Sequence, residues 1–263
     1  MNKLDIIKTR RSVRTFDGRE ISTEDRDKLR AYVETIENPY GIHVEFIFLD
    51  AKELGLSSPV IKGESLYIAA KVADVPHSEE AYGFAFEKMV LFAWSLGLGT
   101  TWLAASLDRA AFQKAARANE DERMYCVTPI GYPIKEMPEL EVIIRKGLHA
   151  DDRKPWNELF FERDFSTPLD TSDNEIKVAL EAVRLAPSAT NAQPWRIVRD
   201  GCSFHFYEKH AKALSGNTAW DVQKVDMGIA LCHFMSIVSG ICSIENLDIS
   251  TAEDIEYIAT VTI

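Results

Sequence analysis

The sequence lacks most of the signals that settle a function outright, and each absence excludes something. Its four cysteines contain no C-x-x-C pair. Cys126, Cys202, Cys232 and Cys242 sit among apolar residues and read as reduced structural thiols, without a disulfide framework. The longest apolar run, Ile229 to Cys242, is broken by His233 and by small or polar residues, and is too short to span a bilayer. The basic N-terminus leads into polar sequence with no apolar stretch behind it, so it does not read as a secretory signal. Cations are in the minority, 30 Lys and Arg against 41 Asp and Glu, and the net charge of -11 opposes a broad nucleic-acid surface. No P-loop and no G-x-S-x-G turn is present. Gly97-Leu98-Gly99 follows a helical pattern and has no third glycine, so it is no dinucleotide fingerprint. The six histidines are scattered without metal-ligand spacing, and His233 reads as a satisfied core residue. These exclusions leave a soluble cytoplasmic chain with local sites.

What is present suffices for a core: 263 residues at 46% hydrophobic content make one large domain or two small ones. Ser22-Thr23-Glu24-Asp25 opens a helix carrying Leu29, Tyr32, Val33 and Ile36 on one face. After the turn at Asn38 to Gly41, His43 to Leu49 reads as a strand, and Leu66 to Val72 as another. An apolar helix from about Glu80 to Leu96 ends at Gly97, a left-handed cap. A short helix around Ala110 to Ala118 and a strand from Met124 to Ile130, closed by Gly131-Tyr132-Pro133, complete the half.

The pattern then begins again. Thr171-Ser172-Asp173 caps a helix through Val178, Ala182, Val183 and Leu185. Pro187 to Pro194 is a turn, and Trp195 to Val198 and Ser203 to Tyr207 are strand-like. Asp226-Met227-Gly228 opens a second apolar helix that ends near Gly240, and Ile255 to Ile263 closes as a strand. The order predicts an α+β chain of two diverged α/β halves, residues 1–158 and 159–263, forming one intertwined unit.

Two motifs carry chemistry. Arg10, Arg11, Ser12 and Arg14 place three guanidinium forks and a hydroxyl within five residues, the donors that a phosphate dianion requires. If the segment is extended, Arg10, Ser12 and Arg14 share one face. The plain alternative is a solvated basic terminus. Arg153, beyond the closing strand, could return another cation to the same phosphate. In the second motif, Pro187 and Pro194 limit loop entropy. Between them, Ser188, Asn191 and Gln193 can donate and accept along the pyrimidine edge of an isoalloxazine. The plain alternative there is an ordinary helix-to-strand turn. Together the motifs point to flavin mononucleotide, FMN.

The segments R-R-S-V-R-T-F, G-L-G-T-T-W-L-A and A-P-S-A-T-N-A-Q-P-W-R resemble the nitroreductase family of flavoenzymes. That resemblance implies an α+β fold built as a homodimer with FMN in its interface. Arg10, Arg11, Ser12 and Arg14 would hold the phosphate, with Arg153 as a further candidate. Pro187, Ser188, Asn191 and Gln193 would contact the ring or ribityl chain, and Leu103, Ala104 and Ala105 would bring backbone groups to the central ring. Where the first half should repeat the P-S-x-x-N turn it has Glu37 to Ile42, and where the second should repeat R-R-S-x-R it has Glu162 to Ser166. The chain thus resembles the single-chain members that mimic the homodimer, with one site per chain and a monomeric or weakly associating state. The implied activity is oxidoreduction with NADH or NADPH and a nitroaromatic, quinone or similar acceptor, the flavin carrying the chemistry without a catalytic side chain. A flavin-binding protein for storage or sensing, its pocket closed by Trp102 or Tyr40, is the alternative.

Overall fold

The computed structural model describes residues 2–210, 220–243 and 254–263. The chain divides into two compact units, residues 9–78 with 85–147, and residues 2–8 and 79–84 with 148–263. The passage from one to the other after residue 147 precedes the position 158 suggested by the repeat.

The chain opens with helix α1 (Lys3–Thr9). In the first unit α2 (Thr23–Val33) starts as expected: the Ser22 hydroxyl accepts the Asp25 N–H, satisfying a donor that a helix N-terminus leaves open. Strand β1 (Val44–Asp50) pairs antiparallel with β2 (Leu66–Ala73), in the register Val44 opposite Val72. All but the last residue of β2 is buried, which explains a pattern apolar throughout except at Lys71. Helix α3 (Ser78–Ser95) is apolar on most sides and ends before Gly97, whose φ of +80° suits glycine. Strand β3 (Gly99–Thr100), helix α4 (Arg109–Ala115), β4 (Glu122–Arg123), β5 (Val127–Gly131) and helix α5 (Glu139–Gly147) follow. Two boundaries differ from the sequence reading. The helix stops at Ala115 because Arg117 adopts a left-handed φ of 52°, and the strand begins at Val127 rather than Met124. The sheet order is β1-β2-β5-β3, with β4 also on β2.

The second unit carries α6 (Trp156–Leu159), β6 (Phe160–Glu162), α7 (Asn174–Arg184), β7 (Trp195–Asp200), β8 (Ser203–Lys209), α8 (Val222–Ile237), β9 (Ile241–Ser243) and β10 (Ile255–Thr262). The Asp173 carboxylate caps α7, accepting from Glu175 and Ile176. Helix α8 starts four residues before the expected Asp226, because Asp221 takes the cap by accepting the Gln223 N–H. That shift places Asp226 inside the helix, 3% exposed. His233 is fully buried with Nδ1 2.8 Å from the Ala182 carbonyl, the satisfied core role its setting implied. Cys202, by contrast, is exposed at the β7–β8 turn and not in the core.

The second sheet runs β6-β7-β8-β10-β9. Four of its strands repeat the first sheet's order and antiparallel pairing: β7, β8, β10 and β9 correspond to β1, β2, β5 and β3. Strand β6 is the addition, parallel to β7, and three residues among aromatic neighbours gave no strand signal in the sequence.

Candidate flavin site

In the first unit the segment from Arg10 to Phe16 forms isolated bridges rather than a strand, and its burial does not alternate. Ser12 bridges Thr100, the Val13 N–H donates to the Thr100 carbonyl at 2.8 Å, and Phe16 donates to Lys62 at 2.8 Å. Val13 and Phe16 sink into the core with Tyr67, Leu103 and Phe112; they stand three apart, so a strict period of two does not hold across the segment, and Arg10, Arg11, Ser12 and Arg14 are each partly exposed. The Arg10 Nε–H is buried and donates to no acceptor among the described residues. Burial lowers the pKa of Arg10, with Glu87 opposing and Arg145 adding to the shift; Arg14 is lowered by burial too, opposed by Glu141 and reinforced by Arg145. Desolvated cations close together are costly unless an anion joins them.

The sequence reading missed the groups that face this cluster. Glu141 on α5 is 3% exposed, lies 3.6 Å from Arg11 and leaves Oε1 without a hydrogen bond. Arg145 stands one turn further along, the i, i+4 neighbour on the same face. The spacing Glu141-x-x-x-Arg145 was the available signal. The fully buried Glu87 on α3 accepts the Trp102 indole N–H at 3.1 Å. Trp102 packs against Phe86 with ring centroids 4.7 Å apart, and Tyr40 stacks on His77 at 5.4 Å, so both aromatics have local partners.

The 103–105 segment is divided in its availability. The Leu103 N–H and carbonyl are both engaged with Val127, at 2.9 and 3.0 Å. The Ala104 carbonyl accepts from Arg109 at 2.7 Å, and Ala105 is exposed. Of the three, Leu103 has its backbone committed to the fold.

In the second unit the loop between Pro187 and Pro194 is held in an unusual backbone: Thr190, Asn191 and Gln193 have φ of 49°, 58° and 51°. Such left-handed residues cost about 1–3 kcal/mol each and persist only where neighbours fix them. The neighbours are named. The Ser188 hydroxyl accepts the Gln193 N–H at 2.9 Å. Asn191 Nδ2 donates to the carbonyls of His149 and Asp152 at 2.6 and 3.0 Å. Gln193 Oε1 accepts the Lys154 N–H at 2.9 Å, and its Nε2 donates to Asp152. The Ala189 N–H donates to both oxygens of Asp226, at 3.0 and 3.1 Å. The amides that the sequence assigned to a ring therefore also build the loop, which leaves the Ser188 hydroxyl proton free to donate.

Arg153 lies beside this loop, donating to the carbonyls of Ala150, Asp152 and Leu185 at 3.0, 2.7 and 3.4 Å. Asp226 was read as a helix opener. It is instead a buried anchor whose carboxyl is pushed well above the usual range by burial, against the Ala189 hydrogen bond and with Glu208 and Asp221 adding repulsion.

The two sheets with one strand order, the half-buried arginine cluster and the proline-bounded rigid loop define an α+β protein of nitroreductase fold. Over residues 2–237 the sequence matches the family described as "Putative TM nitroreductase", and the chain belongs to that family of oxidoreductases. A nitroreductase-like protein of Thermotoga maritima is similar in structure, at 22% identity and a TM-score of 0.62, covering 100% of this chain and 94% of that one. An FMN-dependent nitroreductase of Clostridium difficile covers 50% of this chain and 88% of its own, at 22% identity and a TM-score of 0.44. A Bacteroides thetaiotaomicron protein named as an NADH dehydrogenase/NAD(P)H nitroreductase covers 52% and 90%, at 24% identity and 0.43. No curated protein matches the sequence. Among the described residues no helix is long and apolar enough to cross a membrane.

Proposed function

We propose that the protein is a cytoplasmic FMN-dependent oxidoreductase that draws on NADH or NADPH and reduces a nitroaromatic, quinone or similar small acceptor. Family membership supports oxidoreduction, and the half-buried arginine cluster is the observation that carries the cofactor assignment. Arg10, whose buried Nε–H finds no acceptor among the described residues, faces Glu87 and Arg145, and Arg14 faces Glu141 and Arg145, so two carboxylates only partly offset Arg10, Arg11, Arg14 and Arg145. A phosphate dianion fits that donor set. Bound FMN would supply the redox chemistry, hydride transfer through its N5.

The chain's own residues bind and orient. Arg10, Arg11, Ser12 and Arg14 hold the phosphate, Ser12 being fixed by its bridge to Thr100. Arg153 is a further cation for the same group. Pro187, Ser188, Asn191 and Gln193 contact the ring or ribityl chain through a loop whose shape is set before binding, which lowers the entropy cost of association. Leu103, Ala104 and Ala105 contribute backbone contacts, Ala104 and Ala105 with the freer N–H groups.

We read residues 1–158 and 159–263 as diverged copies of one half, which supports one FMN per chain and a monomeric or weakly associating state. The shared strand order favours this reading. The test is spectroscopic. Purified protein should be yellow, release FMN on denaturation, bleach anaerobically with NADH or NADPH and regain colour with a nitroaromatic or quinone. Protein that stays colourless in excess FMN sinks the proposal, and flavin that binds but is never reduced makes the chain a storage or sensor protein.

A further inference from the structure

Outside the flavin-related residues, the second unit gathers two carboxylates and an imidazole where β8 ends and β10 begins. Glu208 is fully buried on β8. His210 follows β8, and Glu256 lies on β10 directly opposite Glu208 in the antiparallel register. His210 Nδ1 stands 2.7 Å from Glu208 Oε1, and Nε2 stands 3.5 Å from Glu256 Oε2. Despite the short approach, neither oxygen of Glu208 accepts a hydrogen bond from the described residues. The imidazole nitrogen is therefore close to the carboxylate but off the line along which a ring N–H would donate. A buried carboxylate without a donor is a high-energy arrangement unless something else joins it.

We propose that Glu208, His210 and Glu256 form a site for one divalent transition-metal cation of the zinc type. One donor atom from each residue lies within 4.8 Å of the others. Ligands around a zinc ion, bound at about 2.0–2.2 Å, stand roughly 3–3.5 Å apart, so small side-chain rotations complete the set. One imidazole with two carboxylates suits a borderline cation better than magnesium, which keeps its waters and favours oxygen alone. Three protein donors leave a position for water.

The first sheet gives a parallel. Counting from the paired strand ends, Asp50 with Leu66 and Asp200 with Ser203, the position of Glu208 corresponds to Lys71. There the ammonium lies 3.3 Å from Glu45 and 3.2 Å from Glu122, supplying a cation from the chain itself. At the corresponding place in the second sheet a carboxylate replaces that lysine. Lys224 reaches only the outer oxygen of Glu256, at 2.9 Å. The site also adjoins the loop: Glu208 pairs with Trp195, and the Lys209 N–H donates to the Pro194 carbonyl at 2.8 Å. A bound cation would fasten β8 and β10 beside the loop's exit.

The test titrates zinc chloride into the full chain, free of affinity tag and stripped by chelator, and follows bound metal by equilibrium dialysis and stability by thermal melting. The expected result is one zinc per chain, a raised melting temperature and at least tenfold weaker magnesium binding. His210→Ala and Glu256→Gln, both at partly exposed positions, should each weaken zinc binding at least tenfold and abolish the thermal shift. Circular dichroism confirms that they fold. Failure to retain zinc, or equal retention by both variants, overturns the site and leaves His210 as a bridge between two carboxylates. None of these readouts involves flavin.

Discussion

Gly83 and Gly228 meet across two helices in a reciprocal contact. A Cβ on Gly83 would stand 2.0 Å from the carbonyl oxygen of Val225, and a Cβ on Gly228 would stand 2.0 Å from that of Glu80. Each carbonyl belongs to the residue three before the opposite glycine, so the pair obeys the rule of a two-fold interface, in which i touches j and j touches i. Backbone meets backbone here, with no flexible side chain to yield. Gly83→Ala or Gly228→Ala should each destabilise the fold by about 3 kcal/mol or more, the upper range for overpacking. Urea unfolding measures this, and the two changes together should cost less than their sum because they disturb one contact. A loss below about 1 kcal/mol would mean that the helices separate easily.

The phosphate role of the arginines predicts a large effect on affinity and a small one on folding. Hydrogen bonds to charged groups contribute about 1.5–3 kcal/mol each, so Arg10→Ala with Arg14→Ala should weaken FMN binding at least about tenfold. Flavin fluorescence titration reads the change, and riboflavin, which has no phosphate, should respond far less.

Glu141 should compete with that phosphate. Its carboxylate lies among Arg11, Arg14 and Arg145 in the cofactor-free chain. Glu141→Gln keeps the shape of the side chain and removes the charge. FMN affinity should rise by up to roughly fivefold, the scale of a partly exposed ion pair. An unchanged or lower affinity would show that Glu141 helps to order the arginines for the cofactor.

Asp226 sets a pH dependence. Its folded-state pKa is raised by burial, so above the unfolded carboxylate value the folded chain holds this proton more readily than the unfolded chain does. This contribution to stability is complete below the unfolded carboxylate value, near 3.9, and is lost as pH rises towards the folded value. Asp226→Asn can still accept the Ala189 N–H and carries no charge at any pH. It should therefore raise the melting temperature at pH 7 and flatten the fall in stability between acid and neutral pH. A steeper fall in the variant would mean that the native carboxyl is ionised.

The elements legible in the sequence were those whose causes are local. Ser22 and Asp173 cap helices by their own hydroxyl and carboxylate, Gly97 turns left-handed, and β2 is apolar because nearly all of it is buried. The arginine segment departs from alternation, since Val13 and Phe16, three apart, are both buried. What escaped depended on distant partners. Asp226 beneath Ala189, Glu141 beside Arg11, and the His149 and Asp152 carbonyls and Lys154 N–H that hold Asn191 and Gln193 leave no local periodicity. The α8 start was misplaced because two aspartates, Asp221 and Asp226, compete for the cap, and only the buried fate of the second decides between them. The close approach at Gly83 and Gly228 likewise needed coordinates.

Strand β6 limits how this chain could be taken apart. Its residues Phe160 to Glu162 lie parallel to Ile197 to Arg199 and cover an edge of β7. A split after Glu162 would carry that cover away with the amino-terminal fragment and leave the carboxy-terminal fragment with open N–H and carbonyl groups, a template for adhesion to other strands. A split between residues 147 and 155 keeps cover and edge on one polypeptide. Two fragments made that way should be soluble enough to recombine, whereas fragments divided after Glu162 should precipitate or capture each other's β6.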